Sequence, residues 1–184
     1  MNKVILITGA SSGIGKDTAL SLIKEGHVVY GAARRLEMMQ DIIQAGGHAI
    51  KMDILKERNI DEVVNQIVKE QNRIDVLINN AGYGLWGAVE TISIAEAKRQ
   101  FDVNIFGLAY LTKKIIPLMR KQKSGKIINM SSMGGKVYTP FGAWYHATKY
   151  ALEGWSDCLR IELKSFGIDV ISVSYTHLTL PTRY

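Results

Sequence analysis

Short apolar runs alternate with longer amphipathic ones along the chain. Val4-Ile5-Leu6-Ile7 is apolar without interruption, and such a run bounded by turn residues reads as a buried strand. The amphipathic run behind it reaches Glu25 and reads as a helix. Val28 to Ala33 reads as a second strand, and Leu36 to Ala45 as a helix stopped by Gly46-Gly47. His48 to Met52 is a third strand leading to Asp53. Glu57 to Gln71 places Ile60, Val63, Val64, Ile67 and Val68 on one side of a helix. Asp75 to Asn79 is a fourth strand, followed by a loop from Ala81 to Ala88 that carries three glycines. Ala95 to Gln122 is a long helical stretch, broken near Asn104 and kinked at Pro117. Lys126 to Met130, Ala143 to Phe166 and Asp169 to Val173 read as strand, long helix and strand.

This alternation predicts an α/β protein, a parallel sheet with helices on both faces. Right-handed crossovers make it a doubly wound sheet of the Rossmann type, built as one domain. Ligands of such sheets sit beyond the carboxyl ends of the strands, where strand order reverses. Thr8, Arg34, Asp53, Asn79, Asn80, Ser131 and Ser132 all stand at those ends, and together they predict a site along one edge.

Composition narrows the class. A chain of 184 residues, 47% hydrophobic and 22% charged, suits one soluble domain with a substantial core. The net charge of +6 is scattered. Its one cluster, Arg120, Lys121, Lys123 and Lys126, falls where a helix ends and cations are favoured, so no nucleic-acid partner is expected. Cys158 is the single cysteine, which fits a reducing, cytoplasmic location. The first strand starts almost at Met1, so no signal peptide is expected. No apolar run is long enough for a bilayer span, and no His/Cys/Asp/Glu set has metal-ligand spacing.

Three stretches carry candidate chemistry. Gly9, Ser11, Ser12, Gly13, Ile14 and Gly15 form a glycine-rich turn between the first strand and its helix. Glycine lets backbone approach a ligand closely, and the free N–H groups of the new helix favour an anion. No Gly-Lys-Ser/Thr follows, so a P-loop is excluded. The alternative is an ordinary turn. Arg34 and Arg35 close the second strand, where an acidic residue would select NAD through the ribose hydroxyl. Two arginines there suit a 2′-phosphate, against the plainer reading of exposed loop residues. Tyr145 and Lys149 lie one helical turn apart on one face. A nearby ammonium stabilises a phenolate, and such a tyrosine exchanges a proton with a carbonyl or alcohol oxygen. Ser132 can hydrogen-bond the same oxygen. Trp86, Trp144 and Trp155 are expected to pack, Tyr150 to pack, Tyr138 to line a loop, and His146 to be an exposed helix residue.

Thr8-Gly9-Ala10-Ser11-Ser12-Gly13-Ile14-Gly15, Asn79-Asn80-Ala81-Gly82, Asn104, Ser131-Ser132 and Tyr145-His146-Ala147-Thr148-Lys149 together resemble the short-chain dehydrogenase/reductase family, in its order and spacing, from Val4 to about Ile171. The resemblance implies NAD(P)-dependent hydride transfer between a small-molecule carbonyl and an alcohol. It implies that Tyr145 is the acid/base, that Ser132 polarises the oxygen, and that Lys149 lowers the tyrosine pKa and bonds the nicotinamide ribose. It gives Asn104 a water of the proton relay, Asp53 and Ile54 the adenine, and Asn80, Ala81 and Gly82 the wall beside the adenosine ribose. Arg34 implies NADP rather than NAD, and the family implies a homodimer or homotetramer. The competing reading is a dinucleotide-binding regulatory or scaffold protein without turnover.

The resemblance stops after the sixth strand, where the family continues with Pro-Gly, a substrate lid and a last strand. Residues 172–184 match none of this. Ser174 to Thr182 reverse-translate as TCT TAT ACA CAT CTG ACG CTG CCG ACG, which is similar to a transposon-based sequencing adapter. The adapter's preceding GTC encodes Val173, and Ser172 and Arg183 allow its flanking bases. The expectation is a 1–171 domain lacking its last strand and lid, joined to an artefactual tail. The codons across Val173 to Thr182 test it.

Overall fold

A computed structural model describes residues 2–174; the tail from 175 to 184 lies outside them. Six strands form one sheet in the order β3-β2-β1-β4-β5-β6. They are β1 Val4–Thr8, β2 Val28–Ala33, β3 His48–Lys51, β4 Val76–Asn79, β5 Gly125–Met130 and β6 Ile168–Val173. Every neighbouring pair is parallel. The chain first winds outward from β1 to β3, then returns to place β4 on the other side of β1. Strand order reverses between β1 and β4, and a crevice opens there at the carboxyl ends.

The helices follow from the periodicity. They are α1 Gly13–Lys24, α2 Gln40–Gln44, α3 Glu57–Gln71, α4 Ile94–Phe101, α5 Leu108–Gln122 and α6 Ala143–Leu163. The apolar side of α3 (Ile60, Val63, Val64 and Ile67) joins Leu111, Ile115 and Met119 of α5 and Leu159 and Leu163 of α6 under Leu6 and Leu77. On the opposite face Ile5, Ile7, Val29 and Ile78 pack with Ala19 of α1 and Ile42 of α2. Alternate residues of a strand point to opposite faces, so β1 is buried along its whole length. It is therefore a rigid support for whatever follows Thr8.

Two stretches differ in detail from the expected elements. Leu36 to Ala45 is a 3-10 turn, Leu36–Met39, followed by the short α2. Ala95 to Gln122 is two helices joined by a π-helical turn, Asp102–Gly107, at the expected break around Asn104. The end of that turn lies close to Ile54: a Cβ on Gly107 would stand 2.5 Å from the Ile54 carbonyl oxygen, so only glycine fits there. Ser93 starts α4 with a full capping box to Glu96. β6 runs through Val173, with Ser172 and Val173 in register with Asn129 and Met130. Among the described residues no helix is long and apolar enough to cross a membrane.

Candidate active site

The glycine-rich turn is held from behind. Gly9 adopts φ +69°, a conformation that side chains disfavour, and its N–H donates to Ala32 O at 2.8 Å. Thr8 Oγ1 accepts from the N–H groups of Asn80 (3.0 Å) and Ala81 (2.9 Å). Asn80 Nδ2 donates to Thr8 O at 3.0 Å and more weakly to Gly9 O at 3.3 Å. The amide of Asn80 thus braces the turn, and only part of this residue faces the crevice. Gly15 does not line the crevice. It lets α1 approach β1, because a Cβ there would meet Asn80 Nδ2 and come within 2.6 Å of Gly9 O. Gly13, at φ +54° with nothing near its Cβ position, shapes the bend and also stands outside the lining. Ser12 caps α1 with no side-chain hydrogen bond to the helix backbone, and no acidic residue occupies the first turn. The positive end of α1 is left open to an anion.

A cleft of ≈ 880 Å³ runs along this edge of the sheet. At one end stand Arg34, Arg35, Asp53 and Ile54; Gly9, Ser11, Ser12 and Ile14 form its floor with Asn80, Ala81 and Gly82; Ser132, Tyr145 and Lys149 stand at the other end. Residues from six segments of the sequence therefore meet in one groove. Arg34 and Arg35 are both exposed, and Arg35 Nη2 reaches Ser11 Oγ at 3.2 Å and Ser12 Oγ at 3.4 Å. One oxygen of Asp53 accepts the Leu55 N–H at 3.1 Å, so its carboxylate is held at the cleft wall.

At the other end of the cleft, α6 carries Tyr145 and Lys149 one turn apart. Lys149 is buried at 8% exposure and donates from Nζ to Met130 O at 2.8 Å. Its Nζ stands 5.8 Å from the Tyr145 ring centroid. Burial pushes the Lys149 ammonium down to about 8, and the charge of Glu153 works in the other direction. Ser132 caps the 3-10 turn Met133–Gly135, its Oγ accepting the Gly134 N–H at 3.0 Å. That leaves the hydroxyl proton free to donate into the cleft.

Asn104 is brought next to this site but not into the cleft. Its Oδ1 accepts the Tyr83 N–H at 3.1 Å, and its Nδ2 donates to Tyr83 O (2.9 Å) and Thr148 Oγ1 (3.1 Å). The side chain is spent on anchoring the Tyr83 loop to α6. Any water it helps to hold must therefore use its backbone.

Three aromatic expectations are corrected. His146 is buried, not exposed: Nδ1 lies 2.9 Å from Gly134 O, and Nε2 accepts the Thr139 N–H at 3.2 Å. Those partners fix the neutral ring with its proton on Nδ1. Trp86 is 55% exposed rather than packed away, with its ring 5.6 Å from that of Tyr145. Gly84 and Gly142 make room for it, since a Cβ on either would come within 2.7 Å of its ring. Tyr150 is 44% exposed rather than packed away. The cleft also takes in Tyr83, Leu85, Glu96, Arg99 and Val103, which sequence reading passed over. The glycine-rich loop from Ala81 to Ala88 was the available signal for the first two. Nothing in the local pattern of α4 marks Glu96 or Arg99.

A parallel sheet with a glycine-lined cleft and a tyrosine–lysine pair at its end defines a class of dinucleotide-dependent oxidoreductases. The chain belongs to the short-chain dehydrogenase family, whose model matches residues 3–179. It is 42% identical over 171 residues to a 3-ketodihydrosphingosine reductase of Bacteroides thetaiotaomicron, covering 93% of this chain and 62% of that protein. Among solved structures, a short-chain dehydrogenase of Streptomyces avermitilis superposes with a TM-score of 0.91 at 39% identity, over 94% of this chain and 65% of that one. A 3-ketoacyl-(acyl-carrier-protein) reductase of Brucella melitensis, complexed with NADH, gives 0.90 at 32% identity, over 94% and 74%. The chain spans about three fifths of the length of curated relatives such as these.

Proposed function

We propose that this chain is the dinucleotide-binding and proton-transferring part of an NADP-preferring oxidoreductase that interconverts a carbonyl and an alcohol. The observation that carries the reading is the single cleft with Arg34 and Arg35 at one end and Ser132, Tyr145 and Lys149 at the other. Its volume, ≈ 880 Å³, suits an extended ligand, and the uncapped start of α1 between the two ends suits a diphosphate. The paired arginines suit a 2′-phosphate. The Brucella neighbour holds NADH, so the preference for the phosphorylated cofactor rests on the arginines of this chain.

When bound, a reduced nicotinamide supplies the hydride. The residues of this chain handle the oxygen. Ser132 donates its free hydroxyl proton as a hydrogen bond to the carbonyl oxygen and polarises it. Tyr145 gives its phenolic proton to that oxygen as negative charge develops. The Lys149 ammonium, held by Met130 O, stabilises the phenolate left behind. Bulk proton exchange restores the tyrosine. The oxidation of an alcohol runs the same transfers backwards.

The test is to mix the chain with NADPH and a panel of ketones, aldehydes and steroids and to follow the loss of reduced-nicotinamide absorbance. Carbonyl-dependent consumption supports the reading. Because this chain is expected to lack its substrate lid and to be weakly active or inactive by itself, the deciding assay uses a version spanning the length of its relatives. NADPH bound but not consumed by that version with any carbonyl favours a dinucleotide-binding protein without turnover.

A further inference from the structure

The loop between Ser132 and α6 is wrapped around one imidazole that the chemistry above does not use. His146 is 7% exposed. At the start of the loop its Nδ1 meets Gly134 O at 2.9 Å. Further on, its Nε2 accepts the Thr139 N–H at 3.2 Å, and Thr139 Oγ1 stands 3.0 Å from the same nitrogen. The backbone N–H of His146 donates to Gly142 O at 2.8 Å. Glycine is needed where the loop crosses the ring. A Cβ on Gly134 would stand 2.9 Å from Nδ1, and one on Gly142 would stand 2.5 Å from Cδ2 and 2.6 Å from Nε2. The ring is the template on which residues 134–142 are laid.

Gly134 connects this template to Ser132. Its carbonyl meets His146 Nδ1, and its N–H donates to Ser132 Oγ at 3.0 Å. The second bond occupies a lone pair of the hydroxyl and leaves the Ser132 proton to donate into the cleft. The far end of the loop is tied to the opposite wall. Phe141 O accepts the Gly87 N–H at 2.8 Å, and a Cβ on Gly142 would stand 2.7 Å from Trp86 Cζ3. Trp86 in turn meets the His146 ring edge-on, with centroids 5.8 Å apart. One side chain thus reaches the Ser132 hydroxyl through one end of the loop and the Trp86 wall through the other.

We propose that His146 is a positioning residue: its imidazole, donating at Nδ1 and accepting at Nε2, holds the 134–142 loop in the shape that aims the Ser132 hydroxyl at the oxygen beside Tyr145. The task given to Ser132 rests on the function proposed above, whereas the hold of His146 on the loop stands by itself. That hold needs the neutral ring. A protonated imidazole carries N–H on both nitrogens, so Nε2–H would face the Thr139 N–H, donor against donor. The titratable and charged groups on the elements around the ring are Tyr145, Lys149 and Glu153 on α6, Lys136 and Tyr138 in the loop, Tyr83 on the Trp86 side, and Glu96 and Arg99 on α4. Lys149 Nζ is bound to Met130 O, and Lys136 and Glu153 are bound to each other. Among the described residues, no carboxylate is a partner of the ring.

The experiment is amide hydrogen exchange at Thr139, read by NMR as protection against the free-peptide rate, in wild type, His146→Gln and His146→Phe. Gln offers Thr139 an acceptor that does not titrate; Phe fills the space and offers none. Wild-type protection at Thr139 is expected to fall about tenfold or more from about pH 8 to about pH 5, the interval in which histidine changes charge. Leu6 in β1 is expected to keep its protection. His146→Gln is expected to show no such fall, and His146→Phe to be about tenfold or more below wild type already at about pH 8. Constant Thr139 protection in wild type overturns the proposal, and so does wild-type protection in His146→Phe at the higher pH. A fall that reaches Leu6 equally is unfolding of the whole chain and also overturns it. If neither variant folds, the wild-type comparison decides alone. The aim of Ser132 is read in a version spanning the length of the relatives, with a carbonyl that it reduces. There His146→Phe is expected to lower kcat about tenfold or more at unchanged NADPH affinity, and His146→Gln to restore part of the loss. A loosened Thr139 with unchanged kcat overturns the positioning of Ser132. No carbonyl turnover in wild type refutes the proposed function instead, and the exchange experiment still decides the hold of His146 on the loop.

Discussion

Lys149 is the residue where stability and the proposed chemistry would oppose each other. The folded chain gives up its proton near pH 8, against 10.5 for an unperturbed lysine. Between those values unfolding takes up a proton, so stability increases as pH rises through that window. Denaturant melts at about pH 7.5 and about pH 9.5 check this: the wild-type chain is expected to gain more stability between them than Lys149→Met does, and an equal change in both would contradict it. Under the proposed function catalysis would go the other way, because the ammonium would be the useful form. The kcat/KM for carbonyl reduction is expected to fall as pH rises past about 8. At the far end of the cleft, Arg34→Ala is expected to weaken NADP binding by roughly 1.5–3 kcal/mol, the range for a hydrogen bond to a charged group, and NAD binding much less. Calorimetric titration with both nucleotides checks it, and equal losses would count against a 2′-phosphate contact. Tyr145, Lys149 and Ser132 were readable in the sequence because a four-residue helical spacing and a strand end specify their geometry. His146 and Trp86 were not. The partners that bury His146 (Gly134 and Thr139) and the glycines that admit Trp86 (Gly84 and Gly142) lie in loops, whose course no periodicity records.

At the scale of elements, the cleft depends on the tight joint between β1, α1 and β4. Gly15 is the hinge point: Gly15→Ala drives a methyl group into Asn80 Nδ2 and Gly9 O. Overpacking at a joint of backbone and a braced amide costs roughly 1–3 kcal/mol, and here the strain falls on the turn that would hold the diphosphate. A lowered denaturation midpoint together with weakened nucleotide binding is expected; a variant as stable and as tight-binding as wild type would show that the joint has slack. The strands and α3 were legible almost to the residue, since buried parallel strands are continuous apolar runs and α3 has a clean apolar stripe. The π-helical turn was visible only as a break. The contact of Ile54 with Gly107 at the end of that turn brings together residues more than fifty positions apart.

For the whole molecule, the sheet is well covered on the face of α3, α5 and α6, yet apolar groups remain outside. Phe106 is 62% exposed and Ile161 is 80% exposed, while Ala147, Ala151 and Gly154 line the outer side of α6. Exposed apolar surface of this kind marks contact sites, and self-association is the expected outcome. Sedimentation at micromolar concentration checks it: a dimer or tetramer agrees, and a monomer does not. The central claim is that Tyr145 passes the proton while the rest of the cleft holds the cofactor. Its most direct test is NADPH consumption by Tyr145→Phe beside wild type, on a carbonyl that the wild type reduces. The phenyl ring keeps the packing against Trp86 and loses only the hydroxyl. Turnover is expected to fall on the order of 10²–10⁴-fold with NADPH affinity unchanged; turnover within about tenfold of wild type would contradict the assignment of Tyr145 as the proton donor.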